Sequence, residues 1–451
     1  MSKVLTKKVL HLTPHLGGGV GRVLLSYLTK AQGRSFFTHQ IACLDYANDS
    51  ALAKAENLAL DMVDKMSLKK KDLLGLIAEA DIVLIHWWNH PLLYDFLVRT
   101  VLPPCRLALW SHISGFHPPY VFTEKILNYP DIFVCTTPLS LQTEEVDNLK
   151  DEQKKHLRVV WSTGGVEHVK AVKPRKHAGF NIGYIGTVDY AKLHPNFLKM
   201  CGKINIPEVK FVVCGGPNEK EIKQEAGKLG LAEKFDFTGP VNDITKYLAL
   251  FDIFGYPLSP SHYGTCDQVL QESMAAGVVP VVLPNRMEKY MVKHGFTGLV
   301  AKDEKDYVRA IQKLHRNKDL RNNLSKNAKE YAVKTFTASK TVQDWKNIFE
   351  EALTLPKTVK KWDREEKSKI SAAEIFLESL GSYGQNFNSY LQARTVRERE
   401  GAEKRIKKLA ESKVWRSETR GTTHHYHSFF PKDRHLSLWS QLMKEAGKQK
   451  S

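Results

Sequence analysis

The 451-residue sequence predicts an α/β fold with two parallel sheets in succession, followed by a basic C-terminal extension. Three observations support this fold class. Short apolar runs alternate with helix-length segments, the alternation starts again near the middle of the chain, and the pattern becomes highly charged past Pro356. Strands that alternate with helices are typical of βαβ units, whose strands run parallel. The length favours two or three compact units.

The first half of the sequence contains the first set of alternating strands and helices. We predict strands at residues 9–13, 38–44, 82–86, 107–111, 132–136 and 158–161. Helical segments separate them at residues 19–31, 71–80 and 138–149. Together these elements predict an N-terminal Rossmann-like domain over residues 1–165.

The second half repeats the pattern. We predict strands at residues 182–185, 209–214, 235–237, 253–256 and 278–283, which form a second Rossmann-like domain over residues 166–337. Gly164-Gly165 and the basic stretch at 170–176 predict a hinge between the two domains. A helical segment follows at residues 338–356.

The extension at residues 357–451 is strongly basic. It has 21 Lys and Arg against 12 Asp and Glu, and so supplies half of the net charge of +18. We expect a charged helix at 398–411 and aromatic, His-rich loops at 424–431. The excess charge favours anionic partners such as a membrane surface, although an ordinary lysine-rich surface explains it equally well.

Composition narrows the class of protein. The six cysteines have no Cys-x-x-Cys spacing, which predicts reduced core residues. No apolar run approaches the roughly 18 residues of a membrane span, and the N-terminus lacks a signal-peptide cleavage site. We therefore expect a cytoplasmic protein. The absence of an Asp-x-Asp pair argues against a metal-dependent donor site, and no nucleic-acid-binding module is recognised.

Residues 260–282 are the most informative segment. A small-residue loop ends at Gly264-Thr265, an apolar helix carries Glu272, and a β-branched run follows Gly277. A loop that leads into a helix offers free amides and the positive end of the helix dipole, which suits a diphosphate. Glu272 can accept hydrogen bonds from the vicinal hydroxyls of a sugar. These features predict a nucleotide-sugar site.

The same segment resembles the donor site of retaining glycosyltransferases of the GT-B fold, in particular family 4 (glycosyl transferases group 1). The family motif has two glutamates separated by seven residues ahead of a Met-Ala-Ala-Gly turn. Glu272 falls on the second glutamate, which in the family holds the ribose, whereas Gly264 takes the place of the first, which contacts the transferred sugar. The resemblance covers about residues 8–354. It implies two domains that face each other across a cleft, with residues 338–356 returning to the N-terminal domain.

The resemblance extends to the residues that would hold the donor diphosphate. Lys192 keeps the family's spacing from Gly186, and a lysine there stabilises charge on the departing diphosphate. The family's arginine beside that glycine is Thr187 here. The resemblance implies that the diphosphate also contacts a loop and helix start made of Gly264, Thr265, Cys266, Asp267 and Gln268.

A glycine-rich loop follows the first strand. Gly19-x-Gly21 matches two glycines of the dinucleotide fingerprint, and Leu24 takes the place of the third. Asp45, just past the second strand, could then hold an NAD ribose, so an oxidoreductase is an alternative. The resemblance implies instead that a loop made of Gly18, Gly19, Gly21 and Arg22 caps the donor diphosphate.

His112 follows a predicted strand, and the resemblance implies that it contacts the transferred sugar or the acceptor. With Lys192 it completes the predicted catalytic pair. The implied reaction is metal-independent, retaining transfer of a hexose-type sugar to a glycan or lipid-linked acceptor, without a cofactor, in cell-surface polysaccharide synthesis. A nucleotide-sugar epimerase of the same fold and a catalytically degenerate scaffold remain alternatives. Peripheral contact of the extension with the inner membrane face is a further expectation.

Overall fold

The computed structural model describes residues 6–32, 37–260, 262, 264–364, 369–412 and 414–448. They form two compact units, one made of Met1–Ser162 with Thr341–Ser451 and the other of Thr163–Lys340. Each unit contains a sheet whose paired strands are all parallel, which confirms the predicted α/β fold class.

The N-terminal part of the first unit supplies a seven-stranded sheet in the order β10-β9-β6-β4-β1-β2-β3. Its strands, with a short antiparallel pair (β7 and β8) and β5, are β1 Lys7–Thr13, β2 Phe37–Cys43, β3 Asp61–Val63, β4 Ile82–Trp87, β5 Leu102–Cys105, β6 Leu107–Ser111, β7 Phe116–His117, β8 Tyr120–Val121, β9 Ile132–Cys135 and β10 Leu157–Val159. The helices are α1 Gly18–Ala31, α2 Asp49–Asn57, α3 Lys70–Glu79, α4 Pro91–Arg99, α5 Glu124–Asn128, α6 Glu144–Asp147 and α7 Asp151–Lys154.

The second unit has a six-stranded sheet in the order β13-β12-β11-β14-β15-β16. These strands are β11 Phe180–Ile185, β12 Val209–Cys214, β13 Phe235–Gly239, β14 Ile253–Tyr256, β15 Val279–Val282 and β16 Leu299–Val300. Its helices are α8 Phe197–Gly202, α9 Glu219–Lys228, α10 Thr245–Leu248, α11 Gln268–Ala275, α12 Arg286–Met291, α13 Glu304–Arg316 and α14 Lys318–Thr335.

The strand order of each sheet creates a position for a ligand. In the second unit β11 lies between β12 and β14, so the chain leaves β11 in one direction and later returns on its other side. In the first unit β1 lies in the same way between β2 and β4. Ligands of open parallel sheets bind beyond the carboxyl ends of the strands at such a switch point. The predicted glycine-rich loop follows β1, and Lys192 follows β11.

The C-terminal part of the chain completes the first unit. Its elements are α15 Ala338–Thr354, β17 Thr358–Lys360, α16 Ala372–Leu380, α17 Gln385–Gln392, α18 Val396–Leu409, α19 Thr423–Phe429 and α20 Arg434–Lys448. In α15, Trp345 and Phe349 are buried in the same core as Trp110 of β6. Strand β17 pairs antiparallel with β5. The extension has its own aromatic core, in which Phe387 and Trp439 have ring centroids 5.0 Å apart.

Two local predictions are wrong. The helix predicted over residues 138–149 is split into a 3₁₀ turn, Pro138–Gln142, and the short α6, because Thr143 between them has an extended backbone. The His-rich loop predicted at 424–431 is largely helix α19. Its first turn is capped by Thr422, whose Oγ1 accepts from the His425 amide, and the buried ring of Tyr426 anchors it.

Two predictions from composition can be compared with the structure. All six cysteines are free and buried, as expected for reduced core residues. In the described part of the chain, no helix combines the length and the apolarity that a membrane crossing requires.

Candidate functional site

The candidate donor site lies beyond the carboxyl end of β11, where two glycine turns meet. The Gly186 amide donates to the carbonyl of Cys214 at 3.0 Å, and Gly186 has a φ of +151°. Gly215, with a φ of +135°, passes so close that a Cβ there would overlap the Gly186 carbonyl oxygen. Only glycine therefore fits at this turn, which directs the chain towards Lys192.

Lys192 is held by contacts on both sides. Its amide donates to the Asp189 carbonyl at 2.9 Å, and its own carbonyl accepts from the Ser259 amide at 2.8 Å. The ammonium Nζ lies 2.9 Å from Oδ1 of Asp267, and Tyr256 donates its hydroxyl to the same oxygen at 3.0 Å. The predicted phosphate lysine is thus an ion-pair partner of the residue that precedes α11.

Asp267 is almost completely buried, with 2% of its side chain exposed. Burial acts to raise the pKa of its carboxyl group, but the positive charge of Lys192 and the hydrogen bond from its ammonium outweigh burial and lower it. Asp267 is therefore ionised at neutral pH. Its negative charge balances the positive charge of Lys192 at the start of α11.

Glu272 lies one turn into α11, on the side that carries Gln268. Nε2 of Gln268 donates to Oε1 of Glu272 at 3.1 Å. Nε2 of His168 lies 3.3 Å from the same oxygen, and this hydrogen bond raises the pKa of His168. With 11% of its side chain exposed, Glu272 keeps a limited opening to solvent. Its carboxylate is oriented by two partners and can still accept from a ligand hydroxyl.

The loop before α11 explains why glycine occupies position 264. Its amide donates to Nδ1 of His262 at 2.9 Å. A Cβ on Gly264 would come within 2.8 Å of Asp267 Oδ2 and 2.9 Å of the His262 ring. This loop conformation has no room for the glutamate of the family motif. Thr265 is half-buried and Cys266 is buried, and Tyr263, which the sequence also places beside the loop, lies outside the described residues.

A buried pair not predicted from the sequence lies behind this loop. Nε2 of His262 is 2.9 Å from Oε1 of Glu288, and both residues are buried. Because Nδ1 of His262 accepts the Gly264 amide, the neutral ring donates from Nε2 to the carboxylate. Burial raises the pKa of Glu288. The structure thus places Glu288 against the donor loop.

Three of these residues are also the metal-ligand candidates among the described residues. Donor atoms of His262, Asp267 and Glu288 all lie within 4.8 Å of one another. However, both ring nitrogens of His262 already have partners, and the ammonium of Lys192 contacts Asp267. A lysine ammonium beside a carboxylate takes the place that a cation would need. The geometry favours an ion-pair and hydrogen-bond network here.

The glycine-rich loop of the first unit leads directly into α1. Gly18 has a φ of +61° and, like Gly19 and Arg22, is exposed. Gly21 is buried, and a Cβ there would lie 3.2 Å from the Leu16 carbonyl carbon. Gly18, Gly19 and Arg22 thus offer exposed groups at a helix N-terminus, while Gly21 serves the packing of the turn.

His112 follows the end of β6, as predicted. Its amide donates to the Trp87 carbonyl at 2.8 Å, and Nε2 lies 3.0 Å from Nδ1 of His86. Burial lowers the pKa of His112 well below its usual value, and the neighbouring His86 adds to the effect. His112 is therefore a neutral imidazole at physiological pH. Asp45, the residue of the NAD alternative, is half-buried and its amide donates to the Pro14 carbonyl at 2.8 Å.

A family model described as glycosyl transferases group 1 matches residues 167–331, the segment that contains Lys192, Asp267 and Glu272. An uncharacterized glycosyltransferase of Methanocaldococcus jannaschii is 30% identical over 145 residues, which are 32% of this chain and 36% of that protein. The match spans about a third of the relative's length.

Solved structures share the fold of the whole α/β region. HepE of Anabaena, in complex with UDP, has a TM-score of 0.60 at 16% identity, and the alignment covers 77% of this chain and 100% of the HepE chain. The lipopolysaccharide outer core galactosyltransferase WaaB, in its apo form, has a TM-score of 0.57 at 12% identity, and the alignment covers 76% of this chain and 99% of the WaaB chain. The chain thus has the GT-B glycosyltransferase fold.

The group 1 segment brings together Lys192, Asp267, Gln268 and Glu272, which the sequence predicts as donor-binding. Lys192 contacts Asp267, Gln268 contacts Glu272, and Asp267 and Gln268 are consecutive at the start of α11. The sequence gives no indication that Asp267 would pair with Lys192, since the two are 75 positions apart. His262 and Glu288 could have been suspected only as polar residues within apolar surroundings.

Proposed function

We propose that the chain is a retaining glycosyltransferase that transfers a hexose-type sugar from a nucleoside-diphosphate sugar to a glycan or lipid-linked acceptor. One observation carries the proposal. The residues that the group 1 motif assigns to the diphosphate and the ribose, Lys192 and Glu272, each contact one of two consecutive residues at the start of α11, Asp267 and Gln268. Solved relatives of the same fold are complexes with UDP and with UDP-glucose.

The start of α11 supplies the proposed diphosphate site. The first amides of a helix have no acceptor within the helix, and its dipole places positive potential at this end. Lys192 adds a full positive charge, so an entering diphosphate would compete with Asp267 for it. Glu272 would accept hydrogen bonds from the ribose hydroxyls while Gln268 and His168 hold its position.

The proposed reaction proceeds on one face of the sugar. The bond from the anomeric carbon to the diphosphate oxygen breaks, the acceptor oxygen bonds to the same face, and the acceptor proton passes to the leaving phosphate. This scheme needs positioning and stabilisation of phosphate charge, and it needs neither a protein nucleophile nor a metal. Lys192 would supply the charge stabilisation, and neutral His112 would hydrogen-bond the sugar.

Binding of the donor nucleotide is the first test. The thermal midpoint of the full chain would be measured with UDP, GDP, ADP, their hexose conjugates and NAD, for wild type and Glu272→Ala. We expect one nucleoside diphosphate to stabilise the wild type. Glu272→Ala removes charge-assisted hydrogen bonds to the ribose, which contribute about 2 kcal/mol. The Kd of the variant for the same nucleotide should therefore be about 30-fold higher.

The control is Glu330→Ala, which removes an exposed glutamate from α14 in the same unit. It should bind the nucleotide as the wild type does. Stabilisation by NAD alone would favour the oxidoreductase, and stabilisation by none of the compounds would favour a degenerate scaffold. Release of an epimerised nucleotide sugar without any acceptor would favour the epimerase.

The acceptor side is proposed from the family's usual role in cell-surface polysaccharide synthesis. The basic extension offers exposed cations on and beside α18, at Arg397, Arg399, Lys404, Arg405 and Lys408. Each such residue contributes about 1 kcal/mol of attraction to an anionic leaflet. Co-sedimentation with vesicles that contain anionic lipid, compared with neutral vesicles, tests peripheral contact at the inner membrane face.

A further inference from the structure

Four histidines form a continuous hydrogen-bonded chain across the sheet of the first unit. Nδ1 of His39 lies 2.9 Å from Nε2 of His11, and Nδ1 of His11 lies 3.0 Å from Nε2 of His86. Nδ1 of His86 lies 3.0 Å from Nε2 of His112. The four residues come from β2, β1, β4 and the end of β6, which are neighbours in the sheet.

The strand register explains the alignment. His39 is opposite Val9, and His11 lies two positions further along β1. His11 is in turn opposite Leu84, two positions before His86, and His86 is opposite Trp110, two positions before His112. Steps of two residues keep side chains on one face of a sheet. The chain therefore runs diagonally across one face and ends at His112.

The sequence of ring nitrogens gives the chain a direction. Every link joins an Nδ1 to an Nε2, and a neutral imidazole has one donor and one acceptor nitrogen. Only two states satisfy all three links. In one state every ring has its proton on Nε2, and His112 ends the chain with a free lone pair on Nδ1. In the other state every proton is on Nδ1, and His112 ends the chain as a donor.

Burial keeps these rings neutral. It lowers the pKa of His39 to about 4 and that of His86 to about 3, and it lowers those of His11 and His112 well below their usual values. Four other aromatic side chains pack against the histidine rings. They are Tyr27 of α1, Trp88 just after β4, Trp110 of β6 and Phe349 of α15. Tyr27 is the titratable group among them, and burial raises its pKa.

Helix α1 favours one of the two states. It starts at Gly18, beyond the carboxyl end of β1, and Tyr27 lies further along it, 6.2 Å from His11 and 5.7 Å from His39 between ring centroids. The positive end of α1 therefore lies towards the carboxyl edge of the sheet, where His112 is. A helix dipole in this direction stabilises a lone pair at the His112 end and N–H groups that point towards His39.

Each end of the chain also has a nitrogen without a partner. Among the described residues, no hydrogen-bond partner reaches the buried Nε2 of His39 or the buried Nδ1 of His112, although both residues as a whole are half-buried. A buried polar atom without a partner has lost its hydrogen bonds to water without replacing them, which destabilises the folded protein. A ligand hydroxyl that donates to Nδ1 of His112 would replace the lost hydrogen bond.

We propose that the four-histidine chain fixes His112 as a neutral hydrogen-bond acceptor, so that its Nδ1 accepts from a hydroxyl group of the bound sugar. His86, His11 and His39 are then positioning residues that set the tautomer of His112. The identity of the ligand rests on the proposed function, whereas the polarity of the chain does not. The distinction matters for specificity, because an Nδ1 acceptor selects a hydroxyl and rejects fluorine or an ether oxygen at that position.

The polarity can be measured in the full chain without substrate. In protein labelled with ¹⁵N at histidine, couplings between nitrogens across the N–H···N bonds should link the four rings in three steps. The ¹⁵N shifts should place the proton of His112 on Nε2 and leave Nδ1 unprotonated. Absence of the couplings, or a proton on Nδ1 of His112, would overturn the proposal.

Two variants at one position separate the tautomer from packing. His86→Asn keeps an amide oxygen that can accept from Nε2 of His112, whereas His86→Phe keeps a ring and removes the acceptor. We expect His112 to keep its tautomer in His86→Asn and to become a mixture in His86→Phe. The kcat/KM for sugar transfer should fall about tenfold more in His86→Phe, as loss of one hydrogen bond implies.

Equal tautomers and equal kcat/KM in the two variants would overturn the positioning role. If His86→Phe fails to fold, His39→Phe removes the far acceptor at the half-buried end and should shift the tautomer of His112 in the same direction. The two proposals fail separately. An intact chain in a protein without transfer activity would refute the proposed function, and an active enzyme with the opposite tautomer would refute this inference.

Discussion

Lys192 and Asp267 form an ion pair, with 2.9 Å between Nζ and Oδ1, and Lys192 is the residue that we propose as the cation for the donor diphosphate. Tyr256 donates to the same carboxylate oxygen at 3.0 Å, so Asp267 is held firmly. The ammonium is thus oriented towards the start of α11 before any ligand arrives. A bound diphosphate must share this cation with a buried carboxylate of the same sign as itself.

The first prediction concerns that carboxylate. Asp267→Asn keeps the shape of the side chain and removes its negative charge. We expect the variant to bind the stabilising nucleoside diphosphate about tenfold more tightly, because repulsion between Asp267 and the phosphate is lost. Isothermal titration calorimetry measures the change. Lys192→Met is the matched opposite change and should weaken binding, so weaker binding in both variants would contradict the prediction.

The second prediction concerns the missing motif glutamate. Gly264→Ala should destabilise the folded chain by about 1–3 kcal/mol, because the new Cβ would press against Asp267 Oδ2 and the His262 ring. The thermal midpoint measures the loss. The double variant Gly264→Ala with Asp267→Gly removes one of the two obstacles. The double variant should lose less stability than the sum of the losses in the two single variants. Strictly additive losses would show that the new Cβ does not crowd Asp267.

The elements of the fold were predictable because their signals are local. Apolar runs bounded by polar residues mark β4 and β12, and they need no knowledge of distant residues. The exceptions are also local in origin. Thr143 breaks a segment whose periodicity is helical, and Thr422 caps a helix that its histidines do not suggest.

The site was predictable only in part. Glu272 and Lys192 could be placed by their spacing within a motif. The partners that hold these side chains in place, Asp267 for Lys192 and His168 for Glu272, are more than 70 positions distant in the sequence and meet only in the folded unit. The histidine chain likewise depends on strand register, which single-sequence patterns do not contain.

The third prediction uses the pH dependence of His168. Its pKa is raised above the ordinary 6.5 by the hydrogen bond with Glu272. The stabilisation is therefore complete below about 6.5 and is lost as the pH rises through the higher pKa of the folded protein. Half of this side chain is exposed, so the contribution should be only a few tenths of a kcal/mol.

Nuclear magnetic resonance titration of the His168 ring tests this contact directly. In Glu272→Gln the pKa should fall towards its ordinary value, because the amide has no charge to stabilise the imidazolium. An unchanged pKa of His168 in the variant would show that the pair does not form in solution.

The fourth prediction concerns the extension. Trp439 of α20 is completely buried, and its ring centroid lies 5.0 Å from that of Phe387 and 6.0 Å from that of Phe376. Trp439→Ala should cost about 3–5 kcal/mol through lost burial and the cavity left behind. Limited proteolysis should then cleave within residues 357–451 before the rest of the chain, and thermal unfolding should begin at a lower temperature. Gln441→Ala alters an exposed residue of the same helix and should behave as the wild type. Equal protease resistance of Trp439→Ala and Gln441→Ala would mean that these aromatic contacts do not hold the extension together.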